Sequence, residues 1–288
     1  VFCPEVYQIP RVLTFYGDFA LEHKSRVGPV SGIDKIKTDI KVAGLTFVQR
    51  LTLVFCSKII AFSSYSQEHI HKHFKISKSS IVCIPGSIRK EDYKDIRLVK
   101  EKQKNIPFRL LNVSRFERRK GHDLLLYAVS ILLKKGIDVH LTIRGPISGE
   151  IVPVLKIQEE LQLGEHVTIQ HAALTREKNS LLKDADLFVM PSRELETFGL
   201  SMIESLACGT PVIGTPVGAI PEVLSLVDKR LVAKSSDPID IARAIEWYIL
   251  LSSEEKNRIK KKCRRVVLEH FDQSQVLRQL EMLYEGNK

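Results

Sequence analysis

Two cations and two carboxylates supply the residue types and spacings in this chain that could do chemistry. Arg115 and Lys120 frame "RFERRKG" (115–121), and Glu196 and Glu204 stand with seven residues between them in "ELETFGLSMIESLACGTPVIGTP" (194–216). The cations precede an apolar run that reads as a helix, where free backbone N–H groups and the helix dipole already favour anions. A diphosphate is the natural guest of a guanidinium and an ammonium so placed. Phe198, Gly199 and Leu200 open a second helix with its own N–H groups, and a glycine there lets a ligand approach the backbone closely. Glu196, in the loop just before, is misplaced for an anion; a carboxylate there accepts hydrogen bonds from hydroxyls, which points to a sugar. Glu204, one turn into the helix, is placed to accept from a ribose. Two acids for two sugars, with phosphates held between them, describe a nucleotide diphosphate sugar.

Taken singly, each residue has an ordinary reading. Arg115 and Lys120 are surface charges, Glu196 a loop acid, Glu204 an acid suited to an early helical turn, Gly199 and Gly209 a turn and a cap. Their joint placement carries the weight, and the surrounding elements explain it. "FRLLNVS" (108–114), "VHLTIRG" (139–145), "VTIQHA" (167–172), "LFVMPS" (187–192) and "PVIGTP" (211–216) read as strands. Helices fall between them at 122–136, 150–162, 177–184 and 200–208, with further helices at 238–251, 254–271 and 273–287. This alternation implies βαβ units and a parallel sheet covered on both faces. Ligands of such sheets bind beyond the carboxyl ends of the strands. Those ends carry Ser114, Arg115, Lys120 and Gly121; then Gly145 and Pro146; then His171, Ala172 and Ala173; then the run from Arg193 to Gly199. The unusual residues share one edge of one sheet. His122 and His171 read as structural or pocket-lining.

The rest of the chain sets the boundaries. Residues 1–95 are expected to form a partial N-terminal domain, with strands in "RVLTFYG", "KIIAFSS" and "SIVCIPG". Its small size and abrupt apolar start predict that its opening part is missing. The charged stretch ending at 96–106 reads as a linker, 107–271 as the ligand-binding domain, and 272–288 as a helix packing back toward the N-terminal domain. No apolar run approaches the roughly 18 to 20 residues that span a bilayer, and the N-terminus does not read as a signal peptide. Five scattered cysteines without metal-ligand spacing point to reduced thiols in a cytoplasmic protein, with Cys208 a packing residue. A net charge of +10 favours anionic partners. "KKKCRR" (260–265) reads as a solvated helix face, and the absence of an RNA-binding signature argues against nucleic acid. Attraction to an anionic membrane surface stays open, at roughly 1 kcal/mol per nearby basic residue. "SRFERRKG" has no glycine fingerprint for a dinucleotide, which sets a dehydrogenase aside.

With these residues in view, the sequence resembles the retaining glycosyltransferases of the GT-B fold, in glycosyltransferase family 4, the group 1 transferases. "SRFERRKGHDLLLYA" (114–128) is similar to the family's Arg-x4-Lys-Gly block. "ADLFVMPSRELETFGLSMIESLACGTPVIGTPVGAIPEVL" (185–224) is similar to its E-x7-E block and the run behind it. "IAFSSYSQEHI" (60–70) and "SIVCIPGSI" (80–88) look like the end of the family's N-terminal domain.

The resemblance implies an α/β chain of GT-B type, two Rossmann-like doubly wound domains with the N-terminal one incomplete. It implies hexosyl transfer from a UDP-, GDP- or ADP-sugar to a carbohydrate or lipid-linked acceptor, with retention and with neither cofactor nor metal. Arg115 and Lys120 would hold the donor diphosphate and stabilise the leaving nucleotide, and with Glu196 they make the catalytic set. Glu196 would bind the donor hexose; Gly145 and the backbone of Thr197, Phe198, Gly199 and Leu200 would line hexose and phosphate. Glu204 would take the ribose, and Ala172, Ala173 and Leu174 would face the base. The expected location is cytoplasmic, with peripheral attachment at the inner membrane face open. The chain departs from the family in lacking its opening glycine-rich loop. Tyr16 in "VLTFYGD" stands, on the acceptor side, where many members have a histidine, and "IPGSI" replaces a common Ile-Pro-Asn-Gly-Val run. Two other readings follow: a sugar-nucleotide-binding module without turnover, and a GT-B-fold epimerase.

Overall fold

A computed structural model of the chain describes residues 10–93, 107–146, 151–171 and 178–286. The described residues form two compact units, one from those of Val1–Ser87 with Gln273–Lys288 and one from those of Ile88–Asp272. The expected linker at 96–106 lies outside the described residues.

In the first unit, β1 (Val12–Phe15), β2 (Lys58–Ala61) and β3 (Ile81–Cys83) pair in parallel in that order. Between β1 and β2 run α1 (Phe19–Val27) and the long α2 (Gly32–Val54); α3 (Ser64–Phe74) joins β2 to β3. Local chemistry starts these helices. Asp18 caps α1 by accepting from the Leu21 N–H at 3.0 Å, and Ser63 caps α3 through the Ser66 N–H at 3.1 Å. Phe15, Leu53, Ile59, Ile70, Phe74 and Ile81 close the core, each fully buried side chain contributing about 1.5–3 kcal/mol. No helix among the described residues is long and apolar enough to cross a membrane.

The second unit holds β4 (Phe108–Val113), α4 (His122–Lys134), β5 (Val139–Gly145), α5 (Ile151–Glu160), β6 (Val167–His171) and α6 (Lys178–Asp184). It continues with β7 (Leu187–Met190), α7 (Leu200–Ala207), β8 (Val212–Gly214), α8 (Ile220–Val227), α9 (Pro238–Leu250) and α10 (Ser253–His270). All five strands are parallel, in the order β6-β5-β4-β7-β8. β7 and β8 are buried along their whole length, as covered parallel strands must be. α10 starts on a reciprocal capping box between Ser252 and Glu255. The last helix, α11 (Gln273–Glu285), belongs to the first unit, where Val276, Leu280 and Leu283 pack with Ile60 and Ile84.

This strand order fixes the switch point of the sheet. From β4 the chain steps outward to β5 and β6, then returns to the other side of β4 for β7 and β8. The switch point of the sheet therefore falls between β4 and β7, the place at the carboxyl edge where sheets of this kind bind ligands. Main-chain pairing of β4 with β7 covers Leu110 with Leu187 and Leu111 with Phe188. Beyond it the Asn112 side chain takes over, donating from Nδ2 to the Val189 carbonyl at 2.8 Å.

Candidate functional site

The loop after β4 brings Arg115 through a single 3-10 turn, Arg118–Lys120, to Gly121, the cap of α4. The loop after β7 brings Ser192 through Gly199 to the start of α7. The two loops interlock. Lys120 Nζ donates to Glu196 Oε2 at 2.7 Å, the Arg193 N–H donates to the Arg119 carbonyl at 2.8 Å, and Arg119 Nη1 donates to the Leu195 carbonyl at 3.2 Å. The Lys120 and Glu196 side chains are only 13% and 8% exposed, so each charge depends on the other for compensation. Ser192 Oγ adds a second donor to Glu196 Oε2 at 3.1 Å.

Glu196 is also held by its backbone. Its carbonyl accepts from the Ala219 N–H at 2.9 Å. Gly218 comes so close that a Cβ there would stand 2.0 Å from that carbonyl oxygen. Gly145 plays the matching part at the end of β5, where a Cβ would meet the Ser114 carbonyl at 1.9 Å. Only glycine fits either place, because each packs main chain directly against main chain.

Arg115 lies on the same loop, its Nη1 3.0 Å from Glu117 Oε1 and its side chain 46% exposed. Glu117 uses its other oxygen, Oε2, for Arg119 Nε at 2.8 Å. Beneath Lys120, Ser114 Oγ contacts Asn112 Oδ1 and His122 Nε2, each at 2.9 Å. Burial first, and then the Lys120 ammonium, push the His122 imidazole down to about 3. It is neutral near pH 7 and adds no charge beside Lys120.

The structure thus brings together Arg115, Lys120, Gly145 and Glu196. Phe198 is buried with its ring edge-on to Phe271 at 5.6 Å, Gly199 caps α7 at φ +86°, and Leu200 is exposed. Glu204 pairs with Lys178 at the start of α6. Ala172, Ala173 and Leu174 lie outside the described residues. Tyr16 belongs to the first unit, 72% exposed at the end of β1, its ring edge-on to Phe62 at 5.2 Å. Two residues on, buried Asp18 accepts from His69 at 2.9 Å. Burial opposes its ionisation, but the His69 and Leu21 hydrogen bonds outweigh that and hold it below the usual carboxylate range. Among the described residues no group of three His, Cys, Asp or Glu could hold a metal ion.

Sequence reasoning missed Glu117, Arg119, Ser192 and Lys178. "RFERRKG" sets one acid among four basic residues, but nothing in the string says which arginine turns inward.

The chain matches the family model described as Glycosyl transferases group 1 over residues 90–266. It is 34% identical over 142 residues to a D-inositol 3-phosphate glycosyltransferase of Paenarthrobacter aurescens, covering 48% of this chain and 35% of that protein. It is 31% identical over 179 residues to an N-acetyl-alpha-D-glucosaminyl L-malate synthase of Bacillus anthracis, covering 61% of this chain and 44% of that protein. The matched segment thus spans less than half the length of either relative. Among solved structures, sucrose-phosphate synthase of Thermosynechococcus elongatus superposes with a TM-score of 0.75 at 22% identity, over 96% of this chain and 67% of that one. Anabaena HepE, solved in complex with UDP and glucose, gives a TM-score of 0.75 at 17% identity, over 98% of this chain and 73% of that one. At such identities the likeness establishes the fold, two Rossmann-like α/β units of GT-B type.

Proposed function

The chain belongs to the group 1 glycosyl transferases, and from that membership we propose that it moves a hexosyl group from a nucleotide diphosphate sugar to a carbohydrate or lipid-linked acceptor, with retention of configuration and without a metal ion. One observation carries this reading. A cation from the loop after β4 and a carboxylate from the loop after β7, Lys120 and Glu196, meet at 2.7 Å at the switch point of a parallel sheet, where such folds bind nucleotides.

In this reading the donor diphosphate takes Arg115 and Lys120. As the bond from the anomeric carbon to the phosphate oxygen breaks, negative charge collects on the leaving diphosphate. Fixed cations in a sheltered site stabilise that charge more strongly than they stabilise the bound donor. Phosphate replaces Glu196 as the partner of Lys120, and Glu196 turns to the hexose hydroxyls. Gly145 admits the donor against the main chain, and the backbone of Thr197, Phe198, Gly199 and Leu200 cradles hexose and phosphate. Glu204 accepts from the ribose, Ala172, Ala173 and Leu174 face the base, and Tyr16 lies on the acceptor side. The UDP and glucose in the Anabaena HepE complex support a donor of this class. The net charge of +10 supports peripheral attraction to anionic lipid.

Thermal-shift titration with UDP-, GDP- and ADP-sugars tests the donor class. A ligand at 100 times its Kd adds about 2.7 kcal/mol, and no shift with any of them overturns the reading.

A further inference from the structure

We propose that Glu117 is a positioning residue that ties the two halves of the donor site together, one carboxylate oxygen aiming Arg115 and the other holding, through Arg119, the loop that bears Glu196. The proposal rests on the reading of Arg115 and Glu196 as donor-binding residues.

The connection is continuous. Glu117 Oε1 lies 3.0 Å from Arg115 Nη1, and Oε2 accepts from Arg119 Nε at 2.8 Å. The Glu117 and Arg119 side chains are 9% and 6% exposed, so this pair is committed to the interior. Arg119 Nη1 then reaches the Leu195 carbonyl at 3.2 Å, while the Arg119 carbonyl accepts from the Arg193 N–H at 2.8 Å. Leu195 sits at φ +57°, a left-handed conformation that a branched side chain adopts only when its surroundings impose it. The next residue is Glu196. The planar fork of Arg119 bonds a carboxylate and a carbonyl at once, a geometry that a lysine ammonium does not reproduce.

Charge and order both follow from this arrangement. Arg115 is 46% exposed beside the Glu117 carboxylate, so its guanidinium is accessible to a diphosphate. A restrained Arg115 also loses less freedom when the ligand arrives. Glu117 is set to keep the phosphate contact and the sugar contact in register with a single donor molecule.

Hydrogen exchange on the nucleotide-free full chain tests the loop half of the proposal. In Glu117→Gln the amides of 193–199 are expected to exchange about tenfold faster, with those of α9 unchanged; unaltered protection at 193–199 overturns the proposal. Should that variant fail to fold, Arg119→Lys is expected to loosen the same segment, and unaltered protection there overturns it equally. A double-mutant cycle tests the Arg115 half, with UDP, GDP and ADP affinities measured by calorimetry. Glu117→Gln is expected to weaken binding about tenfold alone and not at all in an Arg115→Ala background, whereas additive losses overturn the link. Absence of binding by the wild type would sink the functional reading, while the exchange comparison still decides whether Glu117 orders the loop.

Discussion

Ser114 Oγ and His122 Nε2 lie 2.9 Å apart, and the histidine is the donor. The Asn112 amide is oriented by its Nδ2 bond to the Val189 carbonyl, and Ser114 gives its one proton to Asn112 Oδ1 at 2.9 Å. The hydroxyl can only accept from the imidazole, so His122 carries its proton on Nε2.

A pH dependence follows. The ordinary value of 6.5 for this imidazole falls to about 3 in the fold. Between those values the unfolded chain binds a proton that the native chain refuses, so stability declines as pH drops below about 6.5. The slope contributed by this group approaches 1.4 kcal/mol per pH unit. His122→Asn, which keeps a donor, is expected to flatten the curve of Tm against pH between about 6 and 4. Parallel curves for the two proteins would contradict the assignment.

Replacing Glu196 separates sugar from phosphate. Glu196→Gln leaves Lys120 without its carboxylate and costs about 2 kcal/mol of stability. Nucleoside diphosphate then meets a lysine with no competing anion, so UDP, GDP or ADP binds at least as tightly as to the wild type. Transfer falls by 100-fold or more, on the order of 3 kcal/mol in the barrier. Lys120→Gln lowers transfer as well but, unlike Glu196→Gln, also weakens the nucleotide. Calorimetry beside a product assay distinguishes them.

Gly218→Ala is expected to act on Glu196 without touching a ligand. The added methyl meets the Glu196 carbonyl at 2.0 Å, at a residue whose φ is +60°, so the loop must move or the fold must loosen. A loss of about 2–4 kcal/mol would appear as a lower midpoint in urea. Gly164→Ala, where a Cβ meets nothing within 4 Å, serves as the control.

Thiol reactivity tracks burial. Burial pushes the Cys208 thiol up to about 12 and raises that of Cys263 as well, whereas Cys83 is exposed. Because the thiolate is the nucleophile, iodoacetamide at pH 8 is expected to label Cys83 in the native protein and Cys208 and Cys263 only after denaturation. Peptide mass spectrometry reads the order directly.

Much of the second unit was legible in the sequence. β4, β5 and β7 are apolar runs bounded by turn residues, and α4 carries Leu124, Leu125, Val129 and Leu132 inward. The meeting of Lys120 and Glu196 was legible because both follow strands, and parallel strands place their carboxyl ends together. α8 was not foreseen: its apolar run, Ile220 to Val227, is too short to show a helical period, and the Pro221 in its first turn is no obstacle to a helix. α1 and α2 escaped for another reason. Ile33, Ile36, Ile40 and Phe47 are exposed on α2 while Gln49 is buried, which blurs the one-sided pattern that marks a helix. Gln49 is inside because its amide donates to the Gly17 carbonyl at 2.7 Å and its Oε1 accepts from the Phe19 N–H at 3.0 Å.

Past Leu111 and Phe188 the seam between β4 and β7 leaves main-chain pairing and is held by side chains: the Asn112 amide on the Val189 carbonyl, then Lys120 on Glu196 and Arg119 on the Leu195 carbonyl. A seam closed by main-chain bonds would have its width dictated by the sheet, since neighbouring strands lie about 4.8 Å apart. Here several side chains share that task, so substitution at one of them can retune the gap between the strand ends while the order of the strands stays as it is.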